Sequence, residues 1–315
     1  MRTFLILFIL LATFSCAKND VEKSAEAIDI ALTHLSNNDC DEALEVLQEL
    51  GNQPDNAVYL QVLSSAHACK ADFDEVSFIS SDLSTLNTTS TATIFLSLAK
   101  MQLSTDTTAD SVAYTSILSG INVLLGSTTG SPSHTDRITK FGTRKAGDMS
   151  VLALFLNIVN LGKFLNYYGD AGTTGVKASG SGTNICFIDY NDPRARTVID
   201  AGTAGACVPG SYTRGHSDLD QSTNTGKRRL CEGLMLLTNT IDILDNLNFS
   251  SSTELSVLET ISTQINTVKT AAVAAGLGTL INMTSQSDCE TAMATPANLN
   301  DMEYLYALMF ENGLQ

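Results

Sequence analysis

The feature that most narrows what this chain can fold into is a self-similarity of 33 residues in its first third. His34, Asp39, Asp41 and Glu42 recur in place as His67, Asp72, Asp74 and Glu75. A third copy keeps the apolar and small columns: Ile30, Leu63 and Leu96; Ala31, Ser64 and Ser97; Ala43, Val76 and Ala109. Each copy reads as two helices joined by a short polar turn. Asp39 with Glu42, and Asp72 with Glu75, have the spacing of a capping box, in which two acids satisfy amides that the first helical turn leaves orphaned. Ala43, Val46, Leu47 and Leu50 then fall on one helical face. A period of this length belongs to stacked helix pairs, because one such pair cannot bury its own apolar face.

A two-helix unit of this size, with small residues where helices approach closely and Pro54 near the end of a copy, resembles the tetratricopeptide repeat over about residues 24–125. The resemblance implies three consecutive antiparallel helix pairs across residues 21–125, each rotated by a constant step, with a concave face that binds peptides or proteins. Within that stacking, Cys40 starts the second helix of copy one and Cys69 lies near the end of the first helix of copy two. These helices are antiparallel neighbours, so the two thiols should meet. A disulfide closing a loop of that length adds about 3 kcal/mol in the chain-entropy picture. His34 and His67 share one column, and packing accounts for both without metal or catalysis.

At the N-terminus, Phe4 to Leu11 form an unbroken apolar run, too short for a bilayer span of roughly 20 residues but suited to a secretory signal. Ser15-Cys16 resembles the lipobox of bacterial lipoproteins, which implies a signal peptide over residues 1–15 and a diacylated Cys16 as the mature N-terminus. Ordinary cleavage at Thr13-Phe14-Ser15 is the other reading. Cysteine arithmetic favours lipidation. The chain has seven cysteines, an odd number for an exported protein, and a lipid on Cys16 leaves six. Those six, Cys40, Cys69, Cys186, Cys207, Cys231 and Cys289, suffice for three disulfides in an oxidising compartment. Cys186 and Cys207 flank a short helix candidate and would staple the loop around it, which leaves Cys231 for Cys289. Ala17 follows the lipobox cysteine where an Asp would signal retention, so the resemblance implies an outer rather than an inner membrane.

Aromatics make up only 6% of the chain, tryptophan is absent and there are five prolines, a profile suited to an all-α fold. The formal charge of −16 argues against nucleic acid and against electrostatic adhesion to anionic lipid, since both need clustered cations. Two local basic groups, Arg137, Lys140, Arg144 and Lys145, then Lys227, Arg228 and Arg229, read as solvated helix ends.

After the repeats (residues 16–126), a Ser/Thr/Gly/Pro stretch at 127–135 marks a boundary, and residues 136–315 form a second helical region. Met149 to Tyr168 is apolar nearly all round, as a central core helix would be. Residues 169–226 make an irregular Gly/Ser-rich excursion with one short helix around Pro193 to Ile199. Two apolar stripes, Leu230 to Leu244 and Leu255 to Val268, predict a helical hairpin with Ser251 and Glu254 as a capping box between them. Asn300 to Glu311 close the chain as a final helix.

No chemical signature emerges. Gly169, Gly172 and Gly175 lack the Lys-Ser/Thr of a phosphate loop. Asp218, Asp220, Ser222 and Asn224 alternate as calcium ligands do, yet Thr223 stands where the loop needs Gly and Arg229 where it needs Glu. His134 and His216 sit in polar loops without ligand-spaced partners. The sequence therefore predicts no metal, no cofactor and no catalysis. It predicts a lipid-anchored scaffold of the bacterial cell envelope that binds a protein or peptide through its helix pairs. An accessory lipoprotein of an envelope transport system is one form of that reading. An enzyme with a site in loop 169–226, gathering Asp170, Asp189 and Asp192, is the alternative from a different class.

Overall fold

The computed structural model describes residues 20–101, 108, 110–126, 133–181, 185–202, 207–208, 210–247, 249 and 255–314, and every regular element among them is helical. In chain order the longer α-helices are α1 (Asp20–Ser36), α2 (Cys40–Leu50), α3 (Ala57–Lys70), α4 (Thr91–Lys100), α5 (Val112–Leu125), α6 (His134–Phe141) and α7 (Thr143–Tyr168). They continue with α8 (Pro193–Ala201), α9 (Asn224–Asn246), α10 (Ser256–Ala274), α11 (Gln286–Ala292) and α12 (Pro296–Tyr306). Cys16, Ala109, Ser251 and Glu254 lie outside the described residues.

The first three helices follow from the repeat. α1 and α2 form a hairpin, and α3 packs on both. Ile28, Ala31, Ala43, Leu44 and Leu47 meet Tyr59, Val62 and Ala66 in a small apolar core of their own. Asn56 starts α3 by accepting hydrogen bonds from the amides of Val58 and Tyr59, and the Tyr59 hydroxyl donates to the Leu47 carbonyl at 3.2 Å. Cys40 and Cys69 are joined, with Cα atoms 5.5 Å apart.

Beyond α3 the period fails. The second helical element of copy two is present but irregular, an unbroken run in which an α-helical turn at Glu75–Ser77 passes into a π turn at Phe78–Asp82 and a 3-10 turn at Leu83–Thr85. Val76 is 75% exposed although its counterpart Ala43 is fully buried, so that column is not one environment. The capping boxes are absent as well. Asp39 makes no side-chain cap, Asp72 sits in a left-handed turn (φ 56°), and Asp74 caps the next segment by accepting from the Ser77 amide at 2.6 Å.

The two helices of the third copy, α4 and α5, are present but take α7 and α3 as their main partners instead of each other. Sequence chemistry explains the defection. Ile94, Phe95, Leu98 and Ala99 are all buried, too apolar a set for the outer turn of a solenoid. α4 instead lies against α7 where Gly162 admits it; a Cβ there would sit 2.4 Å from the Leu98 carbonyl oxygen. Ser64 is buried as a close-approach residue, but what it approaches is α5, its hydroxyl donating to the Gly120 carbonyl at 3.0 Å.

α7 is the hub of the larger core. By length and composition it could cross a membrane, yet 78% of its most apolar window is buried by the rest of the fold. α4, α5, α6 and α9 surround it.

The excursion is tied down by carboxylates from the end of the chain. Glu303 of α12 accepts the amides of Asn191 and Asp192 at 2.5 and 2.7 Å, and Glu311, in the π turn that continues α12, accepts the Phe187 amide at 2.6 Å and the Tyr190 hydroxyl at 2.9 Å. Cys186–Cys207 and Cys231–Cys289 complete the disulfides, with Cα separations of 4.8 and 5.7 Å.

Candidate functional site

A cleft of about 330 Å³ opens where the last helix of the repeat-bearing segment meets the C-terminal half. α5 supplies Leu118, Ile121 and Asn122 to its wall, α7 supplies Asn157, and α9 supplies Arg228, Glu232, Met235, Leu236 and Asn239. Gln286, Ser287 and Glu290 of α11 close the far side. The lining has an apolar floor with a few convergent polar groups, the composition of a ligand site.

The sequence builds each wall by ordinary means. α9 is buried nearly all along its length, and its start is fixed by Thr223, which accepts from the Gly226 amide at 2.9 Å. α11 begins at Ser285, whose hydroxyl accepts the Asp288 amide. The Cys231–Cys289 bridge joins the two helices between the very residues that line the cleft, so their separation is set covalently. Gln286 adds a polar strut, donating to the Arg228 carbonyl at 2.9 Å and to Glu290 at 2.7 Å.

Two groups in the cleft are held in costly states. Asn157 is fully buried; its amide nitrogen donates to the Ala153 carbonyl at 2.7 Å, while its Oδ1 has no hydrogen-bond partner among the described residues. An unmet buried acceptor costs about 1–3 kcal/mol. Glu232 is 6% exposed, and burial pushes its carboxyl above the ordinary value despite the Arg228 and Arg229 guanidiniums nearby. Arg228 pairs with it directly. A cationic or donor group entering the cleft near Glu232 would relieve the cost at that carboxyl. The residues that line the cleft include no histidine, no lysine and no free thiol.

The residues singled out from sequence fall elsewhere. Asp170, Asp189 and Asp192 are not gathered into a site. Asp170 accepts from the Ser181 amide and hydroxyl, Asp189 from the Gly215 amide at 2.9 Å, and Asp192 caps α8 while pairing with Arg194. Asp218 and Asp220 also diverge, the first to Arg229 at 3.2 Å and the second to Ser222. Cys186, Cys207 and Glu311 bring potential metal-ligating atoms together, but the two sulfurs are bonded to each other and offer no thiolate.

The basic groups need correction, because two of their members are core residues. Arg137 is 2% exposed, and Arg229 is buried with bonds to Tyr168 Oη at 2.9 Å and to both carboxylate oxygens of Asp110 at 2.8 Å. Long apolar stems let such residues enter a core when a carboxylate waits at the end. His134 and His216 are likewise not loop residues in solvent. His134 is buried with Nδ1 3.1 Å from Ser150 Oγ, and His216 packs against Tyr167 in a tilted arrangement and against Tyr168 edge-on, with ring centroids 4.9 and 5.0 Å away.

Sequence reasoning missed Asn157, Glu232 and Asn239 as site residues. The available signal was the interruption of an apolar helix by Asn157 and Asn160, both fully buried here. Compared with protein families, with curated proteins and with solved structures, the chain matches none of them.

Proposed function

We propose that this protein is a non-enzymatic binding lipoprotein of the bacterial cell envelope, tethered through Cys16, that takes a peptide or an exposed protein segment into the cleft between α5, α7, α9 and α11. The observation that carries this reading is a cleft lined by the carboxamides Asn122, Asn157, Asn239 and Gln286 around apolar residues. Peptide backbones present N–H groups at regular spacing, and Asn and Gln side chains can both accept from them and donate to their carbonyls. Asn122, Asn239 and Gln286 stand around the same cleft, with Ile121, Met235 and Leu236 to receive an apolar side chain. Glu232 and Glu290 favour a neutral or basic segment over an acidic one. The helix-pair segment contributes to this reading through α5, one wall of the cleft, rather than through a concave face shared by three copies.

Selection of peptides from a random library against the mature chain tests the proposal, followed by titration of the winners. Asn157→Leu keeps volume and removes the orphaned acceptor, so the variant should melt at or above the wild-type temperature and bind the selected peptides at least about tenfold more weakly. A selection without winners, or winners that bind both proteins alike, contradicts the reading. The tether has its own test. Full-length protein should enter the detergent phase and the Cys16→Ser variant should not; equal partitioning of both removes the lipid anchor from the proposal.

A further inference from the structure

A buried ion pair lies outside the cleft, under the excursion. Lys177 and Glu311 are both buried, their side chains 1% exposed, with Nζ 3.5 Å from Oε2. Neither atom has a hydrogen-bond partner among the described residues. An ammonium carries three donors and needs them met when it leaves water; among the described residues its close contacts are one long carboxylate approach and the face of Phe187, whose ring centroid is 4.0 Å away. An ion pair so poorly solvated does not recover the desolvation of its two charges.

The other carboxyl oxygen is in the opposite situation. Glu311 Oε1 accepts the Phe187 amide at 2.6 Å and the Tyr190 hydroxyl at 2.9 Å. Two donors converging on one carboxyl oxygen are the arrangement that stabilises negative charge developing on that oxygen when a nucleophile attacks the carbon. The nucleophile is in place. The backbone fixes it there: the Lys177 amide donates to the Leu314 carbonyl at 3.1 Å, and the next residue, Ala178, holds a left-handed φ of 57° with its own amide bonded to the Gly169 carbonyl. Burial pushes the Lys177 amine down and the Glu311 carboxyl up from their ordinary values, toward a neutral amine beside a neutral acid.

We propose that Lys177 and Glu311 form an intramolecular amide cross-link, made by the folded protein itself. The amine lone pair attacks Glu311 Cδ, and the carbonyl electrons move onto Oε1 between the Phe187 N–H and the Tyr190 O–H. One proton passes from nitrogen to the Oε2 hydroxyl, which leaves as water while Oε1 regains its double bond. Amine and carboxylic acid become secondary amide and water, with no oxidant, reductant or energy source required. Held contact in a water-poor site supplies the effective concentration that free amines and acids lack. The product also fits its surroundings better than the reactants do. Both charges vanish, the unpartnered Oε2 is gone, and the amide oxygen keeps the two hydrogen bonds that Oε1 already has. The link would join the excursion to the C-terminal turn in addition to the Cys186–Cys207 bridge beside it.

Peptide mapping of the full-length protein after reduction and tryptic digestion decides the matter. The chain has tryptic sites at Lys163, Lys177, Arg194 and Lys269, and none after that. A cross-linked protein should resist cleavage after Lys177 and yield peptide 164–194 joined to peptide 270–315 with the loss of one water. Release of 164–177 and of free 270–315 from natively folded protein would overturn the proposal. In Lys177→Arg, peptide 270–315 should be released free; if it stays cross-linked, the assignment to Lys177 is wrong. Tyr190→Phe removes one of the two donors to Oε1 and should slow formation of the link in freshly made protein, and an unchanged rate would overturn the role given to that hydroxyl.

Discussion

The first three helices and the body of the molecule solve the same problem with different chemistry. In α1–α3 the core is small and largely aliphatic, the three helices pack on one another, and ion pairs such as Lys70 with Asp41 stay on the surface. In the body, charges go inside. Arg229 reaches Asp110 and Tyr168, Lys177 reaches Glu311, and Glu303 holds two backbone amides more than a hundred residues away in sequence. Local apolar periodicity can specify the first region almost alone. The second depends on long-range polar contacts that fix one arrangement of an irregular chain, and its stability should be correspondingly brittle to single polar losses.

The comparison can be broken most sharply at Ala43 and Val76, which share a repeat column but not an environment. Ala43→Arg buries an unpaired charge in the α1–α3 core and should cost about 3–5 kcal/mol, whereas Val76→Arg, on an exposed turn, should stay within about 0.5 kcal/mol of wild type in thermal melts. Equal, large losses at both sites would restore the full three-copy repeat. Next in size, removing the Cys40–Cys69 bridge by a double Cys→Ser replacement should lower stability by about 3 kcal/mol, and it should do so in α1–α3 first. Hydrogen exchange that speeds up in the body before the hairpin would contradict two separately held regions.

In the body, Glu303→Ala leaves the amides of Asn191 and Asp192 without their acceptor and should cost about 2–3 kcal/mol in denaturant unfolding. A change of a few tenths would mean that the excursion does not depend on α12. The smallest effect is a pH dependence at Glu232. Burial raises its folded value above the unfolded one, so the folded state retains a proton that the unfolded chain gives up. Its contribution to stability is therefore greatest below the unfolded value and is lost as pH rises through that value to the raised one. Glu232→Gln should flatten that fall and match wild type most closely at acid pH. An identical pH profile for the two proteins would place the carboxylate in solvent.

What the sequence reveals tracks this division. The helical class, the hairpin at Asp20–Leu50 and the core helix are legible because helical periodicity records which face a neighbour covers. The failure of the period after α3 is not legible from columns alone. Ser64 keeps its small side chain for a contact with Gly120, a residue of no equivalent copy, so a column can be preserved in character while its partner changes. The cleft was harder still. Asn157 interrupts an apolar helix, which marks it as unusual, but its companions come from helices about 35 to 133 residues away in sequence, and no spacing rule connects them. Glu303 and Glu311 look like ordinary acids of a terminal helix until the excursion they hold is in view.

Hydrogen exchange of the mature protein with and without a selected peptide tests the central claim most directly. Occupation of the cleft should slow exchange in 112–125 and 286–292, the two walls that α9 bridges, and leave 20–50 unchanged. Protection confined to 20–50, with the cleft walls exchanging as before, would contradict the account and return the binding face to the repeat.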